Sequence, residues 1–176
     1  MKKIICIVIT LSMIFSTVVS YGASNLTVEE KRDYLVDAGL LMGDQVGLWL
    51  DSGVRRIDAV AVITRVMAAT DPHWKYTTEH TFTDVPKWAD RVVGTIKMNG
   101  IMTGVSATKF EPNTVLTKND FMTILLRALG YGNNDGVQEF TWNDAFDFAL
   151  SVGVIGREEY DIMKGKTTFT RADMIV

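Results

Sequence analysis

The sequence predicts an all-α protein built from three helix–loop–helix units that bury their apolar faces against one another. Three observations predict it. Apolar residues recur at helical spacing on one face of successive segments, and the first helix of each unit ends at a glycine. The count from that glycine to the basic residue opening the next helix is nearly constant: 17 from Gly39 to Arg56, 18 from Gly100 to Lys118 and 18 from Gly153 to Arg171. The glycines are followed by matching apolar pairs, Leu40-Leu41, Ile101-Met102 and Val154-Ile155, and nine residues past Arg56 and Lys118 stand Arg65 and Arg127. Agreement at so many positions marks an internal repeat. Its interval of 53 to 62 residues is long for a solenoid. Each unit has one or two apolar helical faces and little else to cover them, so the units must cover each other. A closed pseudo-threefold arrangement and an open stack both satisfy that need.

The elements follow in order. Thr27 caps a helix from Val28 to about Ala38, with Glu30 three residues on completing a capping box, and Tyr34, Leu35 and Ala38 on its inner face. Gly39 stops it, and a loop over 40–54 holds Gly43, Gly47, Trp49 and Gly53. A second helix runs from Arg56 to about Ala69, apolar at Val60, Ile63 and Met67, and ends before Asp71-Pro72. Residues 70–81 read as a polar linker. The central unit opens on Phe82-Thr83-Asp84-Val85-Pro86 and continues as a helix from Trp88 to Asn99, with Val92, Val93 and Ile96 inward. After Gly100 comes a loop to Leu116 containing Gly104, Phe110 and Pro112. Thr117 caps the next helix, Lys118 to Leu129, with Phe121, Ile124, Leu125 and Ala128 on one face and Gly130 closing it. Residues 132–139 form a turn-rich linker. The third unit has a helix from Asn143 to Val152 with Ala145, Phe146 and Ala149 inward, then Gly153, then a short helix around Glu158 to Met163. Thr170 opens a last helix that is cut off at Val176, so a longer natural protein is expected.

Composition narrows the function. A chain of 176 residues suffices for one modest domain, and a net charge of −3 supplies no basic face for nucleic acid. Cys6 is the one cysteine, so thiol chemistry and disulfides are not expected of the mature chain. Lys2 and Lys3 precede an apolar run from Ile4 to Val19, and Ser20-Tyr21-Gly22 offers small residues at a cleavage site. Residues 1–22 therefore read as a signal peptide; an uncleaved anchor is the alternative, though the run is short for a span of about 20 residues. No other segment is long enough to cross a bilayer. The mature chain is expected outside the cell, with no membrane span after signal cleavage.

The central stretch resembles an S-layer homology domain. Phe82-x-Asp84-Val85, Trp88-Ala89, Gly100-Ile101-x-x-Gly104, Phe110-x-Pro112-Asn113 and Thr117-Lys118-Asn119-Asp120-Phe121 leading to Leu126-Arg127-Ala128-Leu129-Gly130 carry the resemblance, in order and spacing. The flanking units match in part. The resemblance implies three tandem repeats, at 23–80, 81–132 and an incomplete 133–176, in a pseudo-threefold arrangement around a shared helical core. It also implies non-covalent binding of secondary cell-wall polysaccharide, often through a pyruvylated sugar, in grooves between repeats. The family's loop-to-helix signature is Thr-Arg-Ala-Glu. Thr170-Arg171-Ala172-Asp173 is the nearest copy; Thr117-Lys118-Asn119-Asp120 has lysine for arginine, and Arg55-Arg56-Ile57-Asp58 lacks the threonine. The family's aromatic before the first helix matches Trp88; Trp142 falls one place later in the third unit. The glycan-binding candidates carried over are Arg56, Lys118, Arg171, Trp88, Asp84, Thr117, Thr170 and Asp173.

The junction makes physical sense by itself. A threonine at the N-cap and a carboxylate three residues on satisfy each other's backbone N–H, and the carboxylate suits the positive helix end. A cation at the first helical position adds charge-assisted bonds to a guest carboxylate, and arginine can do so as a fork. The plainer alternatives stay open: Thr117 and Asp120 serve only as caps, Lys118 is a solvated charge, and Trp88 is a core anchor. Arg65 and Arg127 are expected in a structural salt bridge or a helix C-terminal interaction. His73 and His80 stand in the linker without a cysteine or a clear carboxylate partner, and Asn133-Asn134-Asp135-Gly136 lacks the full spacing of a calcium loop. No nucleophile motif or phosphate-binding glycine loop is present. Neither a cofactor nor an enzyme activity is expected within these residues. The expected function is anchoring of an exported protein to the cell wall. The alternatives are the targeting module of a larger wall-active or polysaccharide-active enzyme whose catalytic domain lies past residue 176, and a module that binds other proteins.

Overall fold

The computed structural model describes residues 26–134 and 136–175. The expected signal peptide and Cys6 lie outside them. The chain is mostly helical, as expected. Its helices are α1 (Val28–Asp37), α2 (Arg56–Thr70), α3 (Asp90–Met98), α4 (Lys118–Ala128), α5 (Ala145–Ser151) and α6 (Arg157–Lys164), with 3-10 turns at Lys87–Ala89, Trp142–Asp144 and Ala172–Met174. The helix expected from Trp88 thus opens as a 3-10 turn, as does the one expected from Asn143. In place of a helix at Thr170, the described residues hold only the last 3-10 turn. The linker after Gly130 carries a short antiparallel hairpin, β1 (Asn133–Asn134) with β2 (Val137–Gln138), Asn134 facing Val137.

The core lies on α2 and α4. Ile57, Val60, Ile63 and Met67 are buried on α2, and Phe121, Met122, Ile124 and Leu126 on α4. Helix α2 packs on α3 and on α4, α4 on α5, and α5 on α6. Phe110, Ile96, Leu126, Val54, Val60 and Val93 are the largest apolar side chains fully withdrawn from solvent. Thr117 and Asp120 form the expected capping box at α4, and Thr27 and Glu30 do the same at α1. Gly39, Gly100 and Gly153 leave their helices at φ 67, 69 and 74°, a left-handed conformation that costs a glycine little.

Helix α1 differs from the expectation. None of its residues is buried; Tyr34 is 46% exposed and Ala38 is exposed as well, while Leu35 is half-buried. Periodicity names an apolar face but not the element that covers it, and this mostly charged helix is held by its caps. The 70–81 segment is not a free polar linker either. Thr77 exchanges hydrogen bonds with Thr95 of α3, and its carbonyl lies so close to Gly94 that a Cβ there would sit 2.7 Å from it. His80 has the carboxylate partner the sequence did not reveal: its Nε2 stands 3.3 Å from Asp90 Oδ1, and its Nδ1 accepts from the Phe82 N–H.

The stretch at 50–57, which runs from a turn through Gly53 and Arg55 into the first turn of α2, joins distant parts of the chain. The N–H groups of Arg171 and Ala172 donate to the carbonyls of Ser52 and Leu50, and Val54 N–H donates to Phe169 O. On the other side, Leu116 N–H donates to Val54 O, and the N–H groups of Arg56 and Ile57 to the carbonyls of Thr114 and Pro112. These backbone bonds help to hold together the first helical pair, the central loop and the last described turn.

Candidate functional site

The three junction cations behave alike. Arg56 Nε donates to Phe110 O at 2.9 Å and its NH2 to Thr103 O at 2.9 Å. Lys118 Nζ donates to the carbonyls of Met163 and Lys164. Arg171 Nε donates to Leu48 O at 2.8 Å and its NH2 to Met42 O at 2.7 Å. Each cation therefore leaves the start of its own helix or 3-10 turn and crosses to a distant segment, a loop for Arg56 and Arg171 and the C-terminal end of α6 for Lys118. Counting back to the next junction cation, the acceptors Leu48, Phe110 and Met163 each lie eight residues before Arg56, Lys118 and Arg171. Charge-assisted bonds to backbone carbonyls are among the stronger single contacts in a fold. Arg171 is 7% exposed, and its NH1 also lies 3.4 Å from Asp58 Oδ1.

A cavity of about 560 Å³ opens beside Arg171. Its walls are Met42, Gly43, Asp44, Trp49, Ser52 and Gly53 of the first loop, Arg55, Asp58, Ala61, Val62 and Arg65 of the α2 region, Trp88 and Arg171. The residues come from sites far apart in sequence. Trp49 sits at φ 54°, a left-handed backbone that turns its ring outward at 51% exposure, and Trp88 is 62% exposed. Two exposed indoles at one cleft give flat apolar walls with a donor at each edge, which suits a sugar ring. The cleft is also charged. Arg55 holds Asp58 through two bonds, Nε to Oδ2 at 2.8 Å and NH2 to Oδ1 at 3.0 Å. Asp44 accepts from the N–H groups of Val46 and Gly47; the first of these, with Trp49 next, holds its carboxyl below the ordinary range. Burial, and then the like charge of Arg171, lowers the Arg65 guanidinium's pKa from its ordinary value, against the pull of Asp58.

Of the eight residues singled out from the sequence, the structure brings Arg171 and Trp88 to this cleft. Trp88 forms a wall there and not a core anchor. Thr117 and Lys118 line a separate 90 Å³ cavity with Lys166 and Phe169. Arg56 and Asp84 meet around Phe110, where the Asp84 carboxylate accepts from the N–H groups of Phe110 at 2.9 Å and Glu111 at 3.0 Å. Thr170 donates from N–H and hydroxyl to Asp173, which is 3% exposed and pairs with Lys166. Sequence reasoning missed Trp49, Arg55, Asp58 and Asp44 as wall residues. It expected a salt bridge or a helix C-terminal interaction for Arg65 and Arg127. Arg127 is exposed in the last turn of α4, where a cation suits the negative helix end, while Arg65 lines the cleft.

The Asp84 contacts have a consequence for acid stability. The Phe110 N–H, chiefly, lowers the Asp84 pKa in the folded state. The stabilisation it contributes is present above the unfolded value of about 3.9 and is lost as pH falls through the lower folded value. Melting temperatures of Asp84→Asn are therefore expected to fall less steeply below pH 4 than those of the wild type. Parallel slopes would remove Asp84 from the account.

Comparison with known proteins finds a family match for part of the chain. Residues 81–122 match the model of the S-layer homology domain. The chain is 29% identical over 166 residues to the surface-layer 125 kDa protein of Lysinibacillus sphaericus, covering 84% of this chain and 13% of that protein. It is 26% identical over 149 residues to a cell surface protein of Thermoanaerobacter kivui, covering 77% of this chain and 19% of that protein. The chain thus spans less than a fifth of the length of either relative. The matches point to a secreted, cell-surface protein.

Proposed function

We propose, starting from the S-layer homology domain at residues 81–122, that the chain anchors an exported protein to the bacterial cell wall by holding secondary cell-wall polysaccharide in the cleft between the first loop, α2, Trp88 and Arg171. The observation that carries this reading is the pairing of Trp49 and Trp88 across one charged cleft, two exposed aromatics brought together from separate segments. An anionic polymer suits the guanidinium groups there. On this reading the chain is a binding module and not an enzyme. It needs no cofactor, and its small share of the relatives' length fits an anchor attached to a larger protein.

The arrangement proposed is three repeats in a pseudo-threefold ring. Its support is the cyclic order of the clamps: Arg56 reaches the central loop, Lys118 reaches the 163–164 segment, and Arg171 returns to the first loop. Clefts then fall between neighbouring repeats, as the one at Arg171 does on this reading.

Trp88→Ala tests the reading. The chain is expected to sediment with purified bacterial cell walls, and the variant to bind them at least about tenfold more weakly, the scale of one lost aromatic stacking surface. Its melting temperature should be unchanged, because Trp88 is largely in solvent. Equal wall binding by variant and wild type would refute the cleft; absence of wall binding by the wild type would refute the anchoring function.

A further inference from the structure

The chain builds the junction at the cleft twice, 62 residues apart, and the two copies differ. Trp49 and Glu111 correspond, both left-handed at φ 54 and 58°. Leu48 and Phe110 correspond as the carbonyls that receive Arg171 and Arg56. Asp58 and Asp120 correspond as the third residues of α2 and α4. In both copies one carboxylate oxygen serves its own helix start. Asp120 Oδ2 accepts from the Thr117 N–H at 2.8 Å and hydroxyl at 2.7 Å, and Asp58 Oδ2 accepts from Arg55 Nε at 2.8 Å. The copies part at the other oxygen. Asp120 Oδ1 accepts from the indole N–H of Trp142 at 2.7 Å. Asp58 Oδ1 is taken by Arg55 NH2 at 3.0 Å, with Arg171 NH1 at 3.4 Å. Trp88, which lines the first cleft with Asp58, makes no hydrogen bond through its side chain among the described residues.

We propose that Trp142 is a latch that shuts the second junction, and that Arg55 is a positioning residue that keeps the first one open by filling the carboxylate oxygen on which Trp88 would otherwise close. This rests on the reading of the first cleft as the wall-binding site, and it makes that cleft the open one of the pair. The difference starts at the residue before the helix. The Thr117 hydroxyl and N–H both reach Oδ2, so Oδ1 stays available, and an ionised oxygen is a strong acceptor for an indole N–H. The planar fork of Arg55 spans both oxygens of Asp58 and leaves none for an indole. A neighbouring bond reinforces the latch. Asn119 Nδ2 donates to Asn143 O at 3.0 Å, drawing the turn that carries Trp142 onto the start of α4. At the corresponding place in α2 stands Ile57, which is buried and has no such donor. The position in the turn differs too: Trp142 is the first residue of its 3-10 turn and Trp88 the second of its own, which at three residues per turn directs the two rings differently. The second copy also has Glu111 where the open cleft has the aromatic wall of Trp49.

Exchange of the indole N–H protons with water, followed by NMR in the whole chain, reports the latch without any ligand. In the wild type the Trp142 proton is expected to exchange at least about tenfold more slowly than that of Trp88, the scale of one hydrogen bond to a charged acceptor. Arg55→Thr recreates the threonine–aspartate pair of the second junction. It should slow exchange at Trp88 by a similar factor and weaken sedimentation with purified cell walls severalfold. The variant keeps a capping pair at α2, so it should stay folded, as circular dichroism will show. Arg55→Lys still brings a cation to Asp58 and should leave Trp88 exchange fast and wall binding near that of the wild type. Fast exchange at Trp142 in the wild type would overturn the latch, and unchanged exchange at Trp88 in Arg55→Thr would overturn the role of Arg55. Either result leaves the anchoring function standing, because neither measurement involves the wall. Slowed exchange at Trp88 with undiminished wall binding would overturn both the proposal and the cleft as the binding site.

Discussion

Phe110→Ala is expected to lower the unfolding free energy by about 3–5 kcal/mol, as truncation of a fully buried aromatic does. Phe110 is 1% exposed and sits in the central loop, not in a helix. Its ring lies 5.5 Å from that of Phe82, and the Arg56 guanidinium stands 4.9 Å over its face. Its backbone is engaged as well: the carbonyl accepts from Arg56 Nε, and the N–H donates to Asp84. The substitution leaves a cavity where the loop, α2 and the start of the central unit converge, so the loss should fall in the upper part of that range. Urea unfolding followed by circular dichroism measures it. A loss below about 1 kcal/mol would mean that the loop collapses freely into the space, and that it does not hold the fold together.

Much of this architecture can be read from the sequence because it is local. Thr117 with Asp120, Thr27 with Glu30, and the glycines after α1, α3 and α5 act within a few residues of themselves, and each stands as expected. The inward positions Val60, Ile63, Met67, Val93, Ile96, Phe121 and Ile124 are buried because helical periodicity names them directly. What fails is information about partners. Nothing in the order of residues says that Arg171 reaches back to Met42 and Leu48, or that His80 meets Asp90. Tyr34 and Ala38 were expected inside for the same reason: a face was visible, its cover was not. The site was half legible. Trp88 and Arg171 stood out through the family resemblance, and both line the cleft. Trp49 depends on a left-handed loop residue that composition does not announce. Arg65 stands out in the sequence through its recurrence with Arg127, yet its place in the cleft wall depends on contacts that the recurrence does not describe.

Arg171→Ala should separate the clamp from the ligand contact, since the two roles predict different losses. It removes two charge-assisted bonds to carbonyls that are then left without donors, at an expected cost of about 2–4 kcal/mol in unfolding free energy. The bonds join residues more than a hundred positions apart, so no local rearrangement replaces them. Asp58 keeps both of its bonds from Arg55, and a stranded carboxylate does not enter the cost. Arg171→Lys is the sharper test of geometry. Lys118 already serves two carbonyls with a single ammonium, so lysine at 171 should recover roughly half of the loss, without the two-armed reach of the guanidinium. If Arg171 is a clamp, Arg171→Lys should bind cell walls nearly as the wild type does. The reverse pattern, a stable Arg171→Ala with lost wall binding, would make Arg171 a ligand contact and remove its role as a clamp.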